Sequence, residues 1–513
     1  MTDARPNVVL FMTDQQRGAT VLPEHRLKAH TPHLDALRAD GVTFSRAYTV
    51  SPHCCPSRTS FFTGLYPTEH GVWNNVQVAN ALSRGPVEDT PFWSTTLRDA
   101  GYQLGFVGKW HVSATSGPAA VGWQECMITG APPHPPGTTE AEQRRTARAG
   151  DLRRLSESRT AADHRRAPGE IVRPGYLPYR HYTTAENPFN DEGVIDAAVD
   201  FIDAGQDRPW CLYVGTLGPH DPYQPPQRFL DQYDPDEIEL PDNFADTLAD
   251  KPGLYRRIRD RFDQLTEAEH REALRHYLAF CSYEDELFGR VHAAVERSGQ
   301  LANTIFVYLS DHGDYAGDHG LWCKGLPPFE SALHIPLIIS SPQTPPELRG
   351  SQVDDLVSIV DLGPTLLDLC QVTPETTMSG VSVADRVLSQ QAGDQQRSEV
   401  FFQSNGNETY GNQRVIMDDR WKLVINFFDG DELYDLAEDP DEMVNLLYRP
   451  ADERRVGVTP DDQIPVELRP VVADLYQRFW RHAVEHEDEL THNYIMTALG
   501  TYGPGVALAH PLP

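Results

Sequence analysis

Four short apolar runs in this chain break off into charged or imidazole residues, and segments with helical spacing lie between them. "NVVLFM" (7–12) runs into Thr13-Asp14-Gln15, and "QLGFV" (103–107) into Gly108-Lys109-Trp110-His111. "WCLYVGTL" (210–217) meets Gly218-Pro219-His220, and "NTIFVYLS" (303–310) meets Asp311-His312-Gly313. Runs that are apolar throughout, not alternating, suit strands buried on both faces. The spacing predicts helices over 32–39, with Thr31 as cap, and over 95–100, 193–204 and 266–298. The expected fold is therefore α/β, a large and mainly parallel sheet sandwiched by helices. Ligands of such sheets gather beyond the carboxyl ends of the strands. Ordinary loop polarity explains one charged strand end; four together point to a site.

The segment 131–188 is rich in Pro, Arg and Glu and reads as an insertion in a first domain spanning 1–394. Beyond it, "RVIMDDRWKLVINFFDGDELYDLAEDPDEMVNL" reads as a meander of short strands followed by a helix. This gives a small α+β domain over 395–490. The tail 491–513 holds too many Gly and Pro for a helix and is either disordered or docked on a second copy of the chain in a homo-oligomer. No apolar run approaches the roughly 18 residues of a membrane span. The N-terminus lacks the basic flank of a secretory signal. The seven cysteines, odd in number and set mostly in apolar segments, read as buried thiols of a reducing compartment, and a cytoplasmic location is expected. On that view the sequon Asn407-Glu408-Thr409 is accidental. With 44 basic against 75 acidic residues the formal charge is −31. Nucleic acid and anionic membranes are thus poor partners, and an anion can bind only where cations are gathered locally.

The stretch "SPHCCPSRTSFFTG" (51–64) bears on that condition. Pro56 stands where a first helical turn begins, and the helix ends near Gly64. Cys54 then lies at a helix N-terminus, where a thiol is acidified, and Arg58 one turn on offers a fork for an anion's oxygens. A plain cysteine nucleophile is one reading. It sits poorly with Asp14 and Asp311-His312, which look like ligands for a hard metal supplied from distant strand ends.

Cys54-Cys55-Pro56-Ser57-Arg58 resembles the C-x-P-S-R signature of type I sulfatases of the alkaline phosphatase superfamily. "TPHLDALRADGVTFSRAY", "GLYPTEHGV", "GYQLGFVGKWH", "GPHDPY", "LSDHGDYAGDHGLWCKG", "VDLGPTLLDL" and "ELYDLAEDPDEMVNL" follow the same family's order over most of the chain. The resemblance implies hydrolysis of a small organic sulfate monoester to an alcohol or phenol and inorganic sulfate. It also implies that a maturation enzyme oxidises Cys54 to formylglycine. Only Cys54 places Pro56 and Arg58 at the third and fifth positions of the signature; Cys55 falls at its variable position. The resemblance further implies that Asp14, Asp311, His312 and the modified Cys54 hold one divalent cation, with Gln15 close by. Arg58, Lys109, His111, His220 and Lys324 would surround the sulfate. Asn75, in "GVWNN", matches a position that contacts the anion in the branch of choline sulfatases and phosphonate monoester hydrolases. In the implied reaction a hydrated aldehyde attacks sulfur with help from Asp311. Arg58, Lys109, Lys324 and the metal offset the charge on the oxygens. His220, assisted by Lys324, protonates the leaving group, and His111 assists release of sulfate.

Two departures matter. Where many sulfatases carry Asp-Asp and Asp-Asn, this chain has Asp14-Gln15 and Asp311-His312. The lower ligand charge and the imidazole leave Ca2+ and Mn2+ both open. Lys109 and His111, which phosphonate hydrolases tend to lack, favour a sulfatase over a phosphonate monoester or phosphodiester hydrolase using the same site. A catalytically silent member of the fold is a third reading, against which the intact ligand positions argue. The ester itself, whether aryl, alkyl, choline or sugar, stays open. A choline group would call for an aromatic and acidic pocket, for which Tyr176, Tyr179, Tyr182 and Tyr502 are the available rings.

Overall fold

The computed structural model describes residues 5–130, 134–135, 137–139, 141–146, 148–149, 165–173, 177–389, 397–407, 409, 411–449, 464–492 and 500–503. The strands of its first part are β1 (Asn7–Thr13), β2 (Val42–Tyr48), β3 (Gln103–Lys109), β4 (Gln124–Thr129), β5 (Glu170–Ile171), β6 (Tyr179–Arg180) and β7 (Trp210–Gly215). β8 (Thr304–Ser310), β9 (His334–Ile335), β10 (Leu337–Ser340) and β11 (Ser351–Ser358) follow. Nine of them form one sheet in the order β11-β2-β10-β8-β1-β7-β3-β4, with β9 added beside β2. β10 runs antiparallel to both neighbours, and the run from β8 to β4 is parallel throughout.

Side chains of β1 alternate between two cores. Val8, Leu10 and Met12 enter one face, and Val9 and Phe11 the other, all five fully buried. This two-sided burial is what an unbroken apolar run requires. The parallel register then brings the strand ends level. Thr13 pairs with Ser310, Met12 with Gly215, and Gly108 also with Gly215. Asp14, Lys109 and Asp311 therefore leave the sheet side by side. Gly108 is required where β3 passes β7: its φ is 99°, and a Cβ there would lie 2.0 Å from the Gly215 oxygen.

β7 stops two residues before the expected end because Leu217 and Gly218 give their N–H groups to the Asp191 carboxylate, at 3.0 and 2.9 Å. Asp191 also opens the helix Asp191–Asp203, so that helix starts earlier than the pattern at 193 suggests. The long helix Glu267–Arg297 is bounded by a capping box between Thr266 and Glu269. Thr31 stands at the N-cap of helix α1 (Pro32–Asp40) but makes no side-chain cap.

A second, antiparallel sheet is a meander of β12 (Val400–Ser404), β13 (Gln413–Met417), β14 (Trp421–Asn426) and β15 (Glu432–Asp435). Its helix begins only at Arg469 and runs to Glu485. Of the segment 131–188 the structure describes the hairpin β5–β6 and its surroundings; Tyr176 and most of the tail lie outside the described residues. All seven cysteines are free, six of them buried and Cys126 half-buried. No helix among the described residues is long and apolar enough to cross a membrane.

Candidate active site and metal centre

Helix α2 (Cys54–Thr63) starts at the first cysteine, two residues before Pro56, which falls within its first turn. All ten of its residues are buried, and it ends at Gly64 with φ 70°, where Gly64 N–H bonds the Ser60 carbonyl at 2.8 Å. Asn75 serves the N-terminus from outside the helix: its Oδ1 accepts the otherwise unpaired N–H of Cys55 at 3.0 Å. Cys54 Sγ lies 3.3 Å from His312 Nε2 and 3.9 Å from Asp14 Oδ1. Burial pushes the Cys54 thiol up, but Lys109, Lys324 and His312 outweigh it and bring it well below the ordinary value. Cys55 goes the other way, raised by burial and by the charge on Cys54. Its sulfur accepts the Val76 N–H at 3.4 Å. The two adjacent thiols thus occupy opposite environments.

Asp14, Cys54, Asp311 and His312 offer ligand atoms that all lie within 4.8 Å of one another, and all four residues are buried. His312 Nδ1 is 2.9 Å from the Gly313 carbonyl. Donation there leaves the Nε2 lone pair facing Cys54 and Asp14. Asp311 Oδ1 accepts the N–H groups of Gln15 and His312, at 3.1 and 2.9 Å. Burial presses Asp14 toward the protonated form, yet Lys109, His220 and Lys324 hold it below the usual carboxylate range. Two carboxylates, an oriented imidazole and an acidified thiol in one buried cluster fit a divalent cation.

Arg58 lies behind this cluster and is fully buried. It bonds Asp311 through Nε at 2.8 Å and Asp14 through Nη2 at 3.2 Å, and Nη1 reaches the Tyr213 hydroxyl at 2.7 Å. Its fork therefore holds the two carboxylates and does not line the cavity above Cys54. Gln15, with φ 68°, is likewise set back. It accepts from Lys324 Nζ at 2.8 Å and donates to Asp314 at 2.6 Å and Asp221 at 3.2 Å. Lys109 donates to Asp14. His111 also sits in the left-handed region, at φ 53°. Burial and Lys109 lower its pKa, so it stays neutral and free to take a proton.

Lys324 Nζ is 2.7 Å from His220 Nε2, and His220 Nδ1 is 2.6 Å from the Asp221 carbonyl. The neighbouring carboxylates draw both basic groups toward protonation, yet a contact this short accommodates one proton. Burial lowers the Lys324 pKa, but Cys54, Asp14 and Asp221 raise it well above the ordinary lysine value. The proton therefore rests on the ammonium, which donates to the imidazole.

A cavity of about 570 Å³ opens over Cys54. Of the residues singled out in the sequence, Cys54, Asn75, Lys109, His111, His220 and Lys324 line it. Tyr179 also lines it and donates to Asp221, whereas Tyr182 packs against His276 and Tyr502 against Tyr476. The sequence reading passed over several groups. Asp221 follows His220 directly and was visible in "GPHDPY". Asp314, raised to about 6 by burial, holds the Gln15 amide and the Tyr223 hydroxyl. Asn407, read only as part of a sequon, lines the cavity and accepts the Asn75 N–H at 3.4 Å. Arg261 reaches the cavity from a segment with no local motif, and Arg173 from the insertion 131–188, whose arginines read in the sequence as a solvated charge run in preference to a substrate rim.

The Sulfatase family model matches residues 6–372, and a model of the C-terminal part of N-sulphoglucosamine sulphohydrolase matches 317–459. The chain is 31% identical over 452 residues to the uncharacterized sulfatase YidJ of Escherichia coli, covering 86% of this chain and 83% of that one. It is 30% identical over 465 residues to a choline-sulfatase of Rhizobium meliloti, covering 88% and 84%. Among solved structures, the phosphonate monoester hydrolase of Agrobacterium radiobacter superposes with a TM-score of 0.69 at 23% identity, over 94% of this chain and 96% of that one. At that identity the likeness is one of fold.

Proposed function

The chain belongs to the sulfatase family and hydrolyses sulfate esters, and we propose that its nucleophile is built on Cys54 and served by one divalent cation. The observation that carries this reading is the position of Cys54. Its sulfur faces His312 and Asp14 on one side and opens on the other into a cavity lined by Lys109, His111, His220 and Lys324. Oxidised to formylglycine by a maturation enzyme, Cys54 would supply an aldehyde hydrate, one hydroxyl to attack sulfur and a second to let the sulfate go. The cation, held by Asp14, Asp311, His312 and the modified side chain, would supply Lewis acidity. The imidazole of His312 favours Mn2+ over the purely oxygen-seeking Ca2+.

The chain's own residues do the rest. Lys109 and Lys324 present ammonium groups to the sulfate oxygens, in a buried setting where they offset charge strongly. Arg58 holds the two carboxylates in place through its fork. Lys324 donates to His220, and His220 passes a proton to the departing oxygen. His111, neutral and beside Cys54, takes a proton when sulfate is released. Asn75 and Asn407 form the wall that fixes the start of α2.

Mass spectrometry of the tryptic peptide containing Cys54, after co-expression with a maturation enzyme, tests the assignment. The thiol should be replaced by an aldehyde in protein that turns over an aryl sulfate, and Cys54→Ala should abolish turnover. Full activity with an intact Cys54 thiol would sink the reading.

A further inference from the structure

Two arginines that line the cavity over Cys54, Arg173 exposed at its rim and Arg261 half-buried, have no anionic partner among the described residues. Arg173 follows β5, and Arg261 follows the helix Gly253–Arg259. Both line the cavity, and neither forms an ion pair with a described carboxylate. Arg261 Nε is buried with no hydrogen-bond partner, and its guanidinium carbon lies 4.6 Å from the centroid of the Phe262 ring. The other cavity cations are engaged: Lys109 with Asp14, Lys324 with Gln15 and His220. Asp221, the one carboxylate among the described lining residues, is engaged as well. It accepts from Tyr179 and Gln15 and faces His220 Nδ1 at 3.3 Å.

A cationic leaving group would thus meet two positive charges and no free carboxylate among the described residues. An anionic one would meet two donor forks suited to bidentate pairing with an oxyanion. Ile171, Leu177 and Phe262 line the same cavity and give an apolar surface for a ring. In a chain of net charge −31, uncommitted arginines in a cavity are placed against the overall field. We propose that Arg173 and Arg261 form a second anion subsite, and that the substrates are sulfate monoesters whose alcohol or phenol carries a further carboxylate or sulfate. The proposal rests on the reading of Cys54 as the sulfate-ester site.

The test compares kcat/KM of the mature enzyme for 3- and 4-carboxyphenyl sulfate and 1,4-phenylene disulfate with that for neutral 4-carbamoylphenyl sulfate and cationic choline sulfate. The dianionic esters should be favoured over the neutral one by about tenfold at low ionic strength, with the gap narrowing as salt is added. The carboxylate and disulfate arms show which oxyanion is preferred. In the doubly substituted Arg173→Gln, Arg261→Gln enzyme the ratio should fall toward one. Equal or better turnover of the neutral ester, or a ratio that survives the double substitution, overturns the subsite. Turnover of the neutral ester reports separately on the sulfate-ester reading. If no ester is turned over, calorimetric binding to folded Cys54→Ala protein reads the same ratio, and equal affinity for 4-carboxyphenyl and 4-carbamoylphenyl sulfate also overturns it.

Discussion

At the scale of single residues, the adjacent cysteines show how far one covalent neighbour can differ from the next. Cys54 faces ammonium groups and an imidazole, and Cys55 faces Val72, Val76 and Ala114 in a small apolar cluster. Cys55→Ala should therefore keep turnover and cost only about 1 kcal/mol in urea unfolding, the scale of a small buried truncation. Arg58 gives a sharper prediction. Its fork engages both carboxylates and Tyr213, and a lysine offers one point charge in place of that plane. Arg58→Lys should weaken metal affinity by roughly 10- to 100-fold, the usual effect of losing a group that orients ligands, as read by metal titration. Unchanged affinity would show that the carboxylates hold themselves in place. The motif around Arg58 was plain in the sequence, but its orientation was not. A signature records which residue stands at a position, whereas the side it faces depends on Tyr213 and Asp311, far away in the chain.

At the scale of elements, strands were legible because burial on both faces of β1, β3, β7 and β8 demands unbroken apolar runs, and their register then delivers Asp14, Lys109 and Asp311 together. Connections were less legible, since their geometry depends on partners remote in sequence. The loop after the 3-10 turn Asp242–Ala245 is an example. Asp246 accepts the Leu248 N–H at 2.9 Å, and it lies 2.8 Å from His319 Nδ1 and 3.1 Å from Lys251 Nζ. This ties the loop to the turn that precedes Cys323 and Lys324. Burial raises the Asp246 pKa, but His319, the Leu248 N–H and Lys251 bring it down to about 2. A carboxyl depressed on folding adds stability above its unfolded pKa, near 3.8, and that stability is lost as pH falls toward 2. Asp246→Asn should cost about 1–2 kcal/mol in urea unfolding at pH 7, allowing for partial screening. The difference between variant and parent should shrink below pH 4. A difference that holds constant with pH would assign the effect to packing. Gly64 makes a second case. Its φ is 70°, and a Cβ there would meet Met378 Sδ at 2.8 Å. Gly64→Ala should cost at least about 1 kcal/mol and shorten α2 at its far end from Cys54.

At the scale of the whole molecule, the boundary near residue 394 is proposed as a change of topology, from a mainly parallel sheet to an antiparallel meander. The buried core does not divide there. Ile416, Leu423, Ile425 and Leu433 of the small sheet, and Val472, Leu475 and Phe479 of its helix, belong to the same buried cluster as Val8, Leu10 and Met12 of β1. Polar contacts cross the boundary too. Gln403 N–H bonds the Val50 carbonyl at 2.8 Å, and Asn405 Nδ2 the Trp73 carbonyl at 3.2 Å. Asn407 holds Asn75, the residue that satisfies the start of α2. Cutting the chain at 394 would expose one side of the large sheet's core and leave the Cys54 end of α2 without its wall. The intact protein should accordingly unfold in one calorimetric transition, with calorimetric and van't Hoff enthalpies equal. A fragment ending at 394 should lack near-ultraviolet circular dichroism and elute as an expanded or aggregated species. Two separated transitions, or a folded and active fragment, would mean that the small sheet is an appendage and that the cavity wall over Cys54 stands without it.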